Sequence, residues 1–459
     1  MTGVYDLLPG FAQNLACTWA GFRRSRERFT PHFHRTLAEL ESSLSATEEE
    51  LVGLQWRRLK KLLEHAKAEV PFYATLPVPS DARDPRTAIE KTLGQIEPLE
   101  KQVYRDRASD FLARCYDPRK LIKGKTSGTT GTALPLWYTP EALAEEFATF
   151  WRGRRLAGAE LNDPNLTFNG QMIVPLSQTR PPFWRTNHWN HQTLFSLYHG
   201  NPENLRHYVE AIHATHAGFA QGYPSAMYLV ARAMLDAGAP LPPGRLKACF
   251  TSSESLLEFQ REGIEEAFGA PVRDRYGVSE FCVSMTECSA SNLHVDMEYG
   301  IVEVEVEEEN EYWVRGPLLV TGFATAATPL IRYRVGDVGT RSKSPCACGR
   351  AGEVFLNIDG RIEDYVRTPD GRLVGRLDHI FKEQLDVAEA QVLQETADAL
   401  VVLVVRRPSY DAASERSLLT EFHARLGAEM TIELRYVENI PREANGKFRA
   451  VKSAVGRLS

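Results

Sequence analysis

Thr126-Ser127-Gly128-Thr129-Thr130-Gly131 packs two glycines and four hydroxyl side chains into six residues, with Lys123 and Lys125 before it and a strand-like run, Leu134 to Tyr138, after it. A loop of this make-up can turn backbone N–H groups and hydroxyls toward one anion. It is not a Walker P-loop, because no Gly-Lys-Ser/Thr closes it. Taken alone, such a cluster reads more readily as a polar surface turn. The company it keeps decides between the two.

Four further segments follow in one order: Tyr276-Gly-Val-Ser-Glu280, Pro329-Leu-Ile-Arg-Tyr-Arg-Val-Gly-Asp337, Asp359-Gly-Arg-Ile-Glu-Asp364 and Pro441-Arg-Glu-Ala-Asn-Gly-Lys447. Together with the hydroxyl loop they resemble the adenylate-forming superfamily of acyl-CoA synthetases, peptide-synthetase adenylation domains and luciferases, over about residue 50 to the C-terminus. Thr126 to Gly131, Ile331 to Asp337 and Cys346-Ala-Cys-Gly349 are most similar to the phenylacetate-CoA ligase type. Val174 to Gln178, Pro181 to Trp184 and Gly222-Tyr-Pro-Ser225 resemble the branch found with capsule and natural-product biosynthesis.

The resemblance implies ATP-dependent activation of a carboxylic acid and assigns roles residue by residue. Thr126, Ser127, Gly128, Thr129, Thr130 and Gly131 would hold the β and γ phosphates. Tyr276, with Gly277 and Ser279 in its motif, would stack on adenine, and Ser252, Ser253 and Glu254 would flank the base. Asp337 would accept both ribose hydroxyls, a task suited to a two-oxygen acceptor, and Arg361 would contact the nucleotide. Glu280 would hold Mg²⁺ and Lys447 would be the catalytic lysine, since attack on the α-phosphate develops negative charge that calls for a divalent cation and an ammonium. Glu363 stands at the hinge about which relatives rotate the small domain between two half-reactions.

The chain departs from the family in three places. Thr132 stands where many relatives carry lysine, and Glu363 replaces the more usual Asp. Tyr365-Val-Arg-Thr-Pro-Asp-Gly371 lacks the lysine-x-x-glycine loop that many CoA-using relatives place beside pantetheine.

Length and pattern supply the architecture. The 459 residues are 43% hydrophobic and 25% charged, enough for a large domain plus a smaller one. Thr47 and Glu50 form a capping-box pair ahead of a helical face of Leu51, Leu54, Leu59, Leu62, Leu63 and Ala66, expected to end before Pro71. Strand-like runs such as Gln171 to Pro175 and Leu246 to Ser252 alternate with amphipathic helices, Asn204 to His216 and Ser225 to Ala237, which argues α/β layering. Ile301 to Val306 and Tyr312 to Thr321 read as a hairpin around Asn310. After Gly360 come strands at Gln391 to Glu395 and Ala399 to Arg406, a helix at Ala412 to Leu426 and a strand at Thr431 to Val437. The expectation is an α/β large domain with an antiparallel β portion over residues 1–360, and a small mobile α+β lid over 361–459.

A net charge of -6 gives no basic footprint for nucleic acid. No apolar window is long enough to span a bilayer, and Met1 to Phe22 lacks the basic start of a secretory signal. A cytoplasmic protein is expected. Leu7, Leu8, Phe11, Leu15, Trp19 and Phe22 fall at helical spacing ahead of Arg23, Arg24, Arg26 and Arg28. The ordinary reading of such a stripe is core, with contact to a membrane surface as the alternative.

Seven cysteines with no export signal point to a reducing compartment and to metal ligands before disulfides. Cys288-x5-His294 and Cys346-x-Cys348 supply three thiols and an imidazole, a set that suits structural tetrahedral Zn²⁺. The phenylacetate-CoA ligase type carries a similar set. Trp184, His191 and Tyr223 are candidate walls of the acid pocket, in a segment also rich in His188, His199, Trp189, Phe195 and Tyr198. The same aromatics read equally as core.

The expected reaction joins an acid, aryl or arylacetic by resemblance, to AMP with release of pyrophosphate, then passes the acyl group to CoA or a carrier-bound pantetheine thiol. Two alternatives stand beside it: transfer to an amine or hydroxyl, and a zinc-stabilised binding protein that keeps the shape without catalysis. A homodimer is a base-rate expectation only.

Overall fold

The computed structural model describes residues 2–77, 79, 83–125, 134–200, 202–254, 256, 258–359, 366–374, 377, 380, 386–438, 440, 451–453 and 455. Its spine is a 13-stranded sheet. In one half of it Gln192–Ser196, Asn165–Asn169, Phe219–Gly222, Cys249–Ser252 and Val272–Gly277 lie side by side and parallel. From Ser284–Glu287 onward every pairing is antiparallel, through Leu293–Val295, Val354–Asp359, Tyr333–Ser342, Trp313–Gly322 and Gly300–Val304. The α/β layering and the antiparallel portion are both as expected, and the predicted hairpin pairs Ile301 with Thr321.

Helices Pro202–Ala214, Pro224–Asp236 and Glu258–Phe268 contribute to a core with Phe168, Phe195, Tyr208, Met227, Ile264 and Phe268. Helices Pro31–Ser42 and Pro140–Leu156 pack on the other face through Phe33, Leu37, Trp151 and Phe219. Local chemistry sets their starts: Thr30 and Thr139 cap the first turns with Pro at the following position. The Glu48–Glu69 helix has the expected capping box, with Thr47 and Glu50 bonded reciprocally, and stops before Pro71.

Residues 366–453 build a separate core. Val387–Thr396 and Ala399–Arg406 pair antiparallel, with Thr431–Tyr436 and Val451–Ser453 added parallel on either side. The helix Ala412–Leu426 covers this sheet with Leu418 and Phe422 against Val392, Val402 and Val404. These strands and this helix fall where the sequence places them. The expected boundary at 360/361, the hinge residue Glu363, Arg361, the hydroxyl loop Thr126 to Gly131 and Lys447 lie outside the described residues.

Two expectations are corrected. Gln171 to Pro175 is not a strand. Ile173 and Val174 are apolar because they pack with Leu194 beneath the N-terminal segment, where the Tyr5 hydroxyl donates to Ile173 O at 2.6 Å. The N-terminal stripe is not core: Phe11, Leu15 and Trp19 of the Gly10–Arg28 helix face outward.

His199 makes the packing pH-sensitive. It is buried, stacked on Phe183 at 5.0 Å and bonded through Nδ1 to Ser196 Oγ at 2.8 Å. Burial, then the charge of Arg372, lowers its pKa to about 4, with Arg185 adding and Asp370 opposing. The unfolded chain therefore takes up this proton first, and stability falls as pH drops from about 6.5 toward 4. Urea unfolding at pH 7 and pH 4 is expected to show a loss of up to about 3 kcal/mol in the wild type that His199→Asn does not share.

Candidate active site

In a parallel sheet with helices on both faces, ligands gather beyond the C-terminal strand ends. Here those ends are Ser196, Asn169, Gly222, Ser252 and Gly277. Gly222 is required there, since a Cβ would lie 2.2 Å from Phe168 O. Ser252 and Ser253 lie at the end of their strand with hydroxyls 3.4 Å apart, and Ser253 takes a left-handed backbone with φ of 73°. Glu254 follows directly.

Tyr276 is the penultimate residue of the last parallel strand, and Ser279 and Glu280 lie in the turn after Gly277 that reverses the chain into Ser284–Glu287. Asp337 lies in Tyr333–Ser342, and three strands separate that strand from the one bearing Tyr276. The sheet nevertheless curls enough that the Tyr276 hydroxyl donates to Asp337 Oδ2 at 2.7 Å. Burial, then the Asp337 charge, pushes the Tyr276 phenol well above its usual range, so it remains a donor.

One turn further on, the Tyr333 hydroxyl donates to Glu280 Oε1 at 3.0 Å, and Lys101 Nζ lies 3.7 Å from the same oxygen. Burial, then Glu280, likewise keeps the Tyr333 phenol protonated. Tyr138 donates to Ser279 O and stacks on Phe281 at 4.3 Å. Tyr138 belongs to Pro135–Tyr138, which pairs with Ile122–Lys125 in a register that matches Lys125 with Pro135. The two strands flanking the hydroxyl loop are therefore fixed against the Tyr276–Glu280 turn.

Lys101 and Tyr333 were missed as partners of Glu280. Tyr333 lies within a quoted motif, whereas Lys101 belongs to none. Arg154 was also missed: it is buried, donates to Gln221 Oε1, and lies over the rings of Phe150, Trp151, Phe219 and Phe250 at 4.1 to 5.5 Å. Burial, then Arg275, lowers its pKa to about 9. Arg275 is paired with Glu146 at 2.9 Å. Arg275 and Tyr276 are neighbours on one strand and leave it on opposite faces, so the face opposite Tyr276 is the one that carries these buried polar and charged groups.

The three candidate pocket residues do not share one place. Tyr223 lies beside Gly170, at the C-terminal end of Asn165–Asn169. His191 lies at the other end, where its carbonyl accepts from Asn165 N at 2.9 Å, a strand length of roughly 13 Å away. His191 therefore does not share a pocket with Tyr223. Trp184 is half-buried against Phe195 and Tyr208, at 5.9 and 6.5 Å, so much of the aromatic segment fills the core.

Cys288, His294, Cys346 and Cys348 do come together, with ligand atoms all within 4.8 Å of one another. Cys288 and Cys346 sulfurs are 3.6 Å apart, and Cys348 Sγ is 3.3 Å from His294 Nε2. The sulfur separation is far too long for a disulfide. Tetrahedral zinc at its usual bond lengths sets ligand atoms roughly 3.6 to 3.8 Å apart, so the donor set fits that ion. Burial, then Arg350, lowers the His294 pKa to about 4, which keeps the imidazole neutral as a ligand must be.

Two solved states of one enzyme resemble this architecture along most of its length. 2-Hydroxyisobutyryl-CoA ligase in complex with 2-HIB-AMP and CoA, in the thioesterification state, is 19% identical, with 88% of this chain and 89% of that one covered and a TM-score of 0.54. The same enzyme in its postadenylation state with R3-HIB-AMP is 18% identical over 89% and 90%, with a TM-score of 0.52. The chain has the adenylate-forming ligase fold. Residues 366–454 of this ligase-fold protein match the CapK C-terminal domain family. The chain is also 26% identical to Protein CapK of Staphylococcus aureus over 451 residues, 97% of this chain and 98% of that one. The fold that the motif resemblance implied is thereby borne out. No helix among the described residues is long and apolar enough to cross a membrane.

Proposed function

We propose that the protein activates a carboxylic acid with Mg-ATP and then transfers the acyl group to a thiol, of CoA or of carrier-bound pantetheine. The observation that supports this most is the meeting of Tyr276 with Asp337 and of Glu280 with Tyr333, contacts that join two distant motifs of an ATP-using pattern at one strand end. In the first step a carboxylate oxygen attacks the α-phosphorus, the bond to the bridging oxygen breaks, and pyrophosphate leaves. In the second the thiol sulfur attacks the acyl carbon, AMP leaves with the bonding pair, and the thiol proton is released.

Tyr276 and Asp337 bind the nucleoside, with Ser252, Ser253 and Glu254 on the base side and Arg361 as a further contact. Tyr333 and Lys101 orient Glu280, whose carboxylate would hold the magnesium that neutralises phosphate charge when bound. Lys447 supplies the ammonium, and the segment 126–131 the phosphate cradle. Glu363 is the hinge, with the small domain from 361 as the moving part. Cys288, His294, Cys346 and Cys348 hold a structural zinc, closed by four protein ligands.

With Phe195 and Tyr208 in the core and Trp184 packed against them, polar acids take equal place beside aryl acids. Acid-dependent pyrophosphate exchange with a panel of both, followed by separate addition of CoA, a carrier protein and amines, tests the reading. Exchange with no acid in the panel would overturn it. The absence of the lysine-x-x-glycine loop from 365–371 favours the amine or hydroxyl acceptor as the second reading. Asp337→Ala is expected to raise KM for ATP roughly 10- to 100-fold, the cost of hydrogen bonds to a charged acceptor, with a smaller change in kcat.

A further inference from the structure

The Gly10–Arg28 helix is docked with its polar face inward. Gln13 accepts from Arg185 Nε at 2.6 Å, Asn14 from Thr186 N at 3.0 Å and Thr18 from His188 N at 3.1 Å, and Ser25 donates to Asn190 at 2.8 Å. Gly21 lies against Asn187, leaving no room for a Cβ. The strand Trp184–Asn187 is the outer edge of the sheet, and the helix covers that edge by supplying acceptors to backbone N–H groups that would otherwise lack them.

Edge capping explains the inner face and asks nothing of the outer one. Yet Phe11, Leu15 and Trp19, one helical turn apart, are 71%, 62% and 62% exposed, and Leu7 in the preceding turn is 86% exposed. The apolar row runs about 12 Å from Phe11 to Trp19. Phe22 extends it to the exposed Trp189, whose ring meets it edge-on at 4.7 Å. A soluble helix ordinarily presents the opposite face to water.

Charge indicates what covers the row. The chain carries a net charge of -6, but residues 1–35 hold five arginines against two acids. Arg23, Arg24 and Arg26 are exposed directly beyond Trp19. Leucine, phenylalanine and tryptophan in one file with arginines beside them is the make-up of a helix that lies in the interface of an anionic bilayer.

We infer that this helix is a membrane-surface docking element that seats the protein on anionic lipid, with Phe11, Leu15 and Trp19 entering the interface and Arg23, Arg24 and Arg26 meeting headgroups. The full chain is expected to co-sediment with vesicles of mixed phosphatidylcholine and phosphatidylglycerol, and weakly with phosphatidylcholine alone. Leu15→Glu with Trp19→Ser should weaken binding at least about tenfold, and Arg23→Glu with Arg24→Glu should abolish the anionic preference. All four positions are solvent-facing, so melting temperatures should stay at the wild-type value and loss of binding cannot be loss of fold. The inference is overturned if neither vesicle binds the wild type, if binding survives both double variants, or if the wild type is a dimer that Leu15→Glu dissociates while vesicles leave it in solution.

Discussion

Replacing Lys447 by alanine is expected to lower acid-dependent pyrophosphate exchange by about 10²- to 10³-fold, the usual cost of removing one preorganised group from developing charge. In sequence, three residues separate Lys447 from Val451, which is paired with Val392 in the small domain's sheet. If the two half-reactions use two orientations of the domain, the ammonium serves only the first. Transfer from chemically prepared acyl-adenylate should then fall far less than adenylation does. Equal losses in both steps would sink the two-orientation mechanism, and undiminished exchange would favour a binding protein that only keeps the ligase shape.

What was legible in the sequence was whatever depended on neighbours along the chain. Thr47 and Glu50 specify a helix start three residues apart, Ala399–Arg406 is an unbroken β-branched and apolar run up to its last residue, and Ala412–Leu426 repeats Leu418, Phe422 and Leu426 at helical spacing. Tyr276, Glu280 and Asp337 could be picked out because each lies within a short run of distinctive composition. That Tyr276 touches Asp337 and Tyr333 touches Glu280 could not be read, because the contacts depend on how far the sheet curls across three intervening strands. Lys101 was illegible for the same reason, being a single lysine in an ordinary helix, Lys101–Asp106. The N-terminal helix shows a subtler limit. Its periodicity announces two faces but not which one turns inward, and here unpaired N–H groups of an edge strand outweighed the pull of apolar burial.

Metal analysis of the full chain is expected to find one zinc, and Cys346→Ser to remove it and lower the melting temperature by on the order of 10 °C. The size follows from what the ligands join. Cys288 follows the strand that returns from the Glu280 turn, His294 lies in the next, and Cys346 and Cys348 form a tight knuckle where Gly349 N donates to Cys346 O. That knuckle connects the strand of Asp337 to Val354–Asp359. Arg350 beside it reaches Asp296 at 3.4 Å, the same carboxylate that the fully buried Arg152 grips. Without a metal, two or three thiols and an imidazole crowd within 4.8 Å with nothing to bind them, and the segments bearing Glu280 and Asp337 lose their common anchor. KM for ATP should therefore rise in Cys346→Ser even at temperatures where the variant stays folded. A preparation with no zinc, and a Cys346→Ser variant that melts and binds ATP as the wild type does, would remove the site.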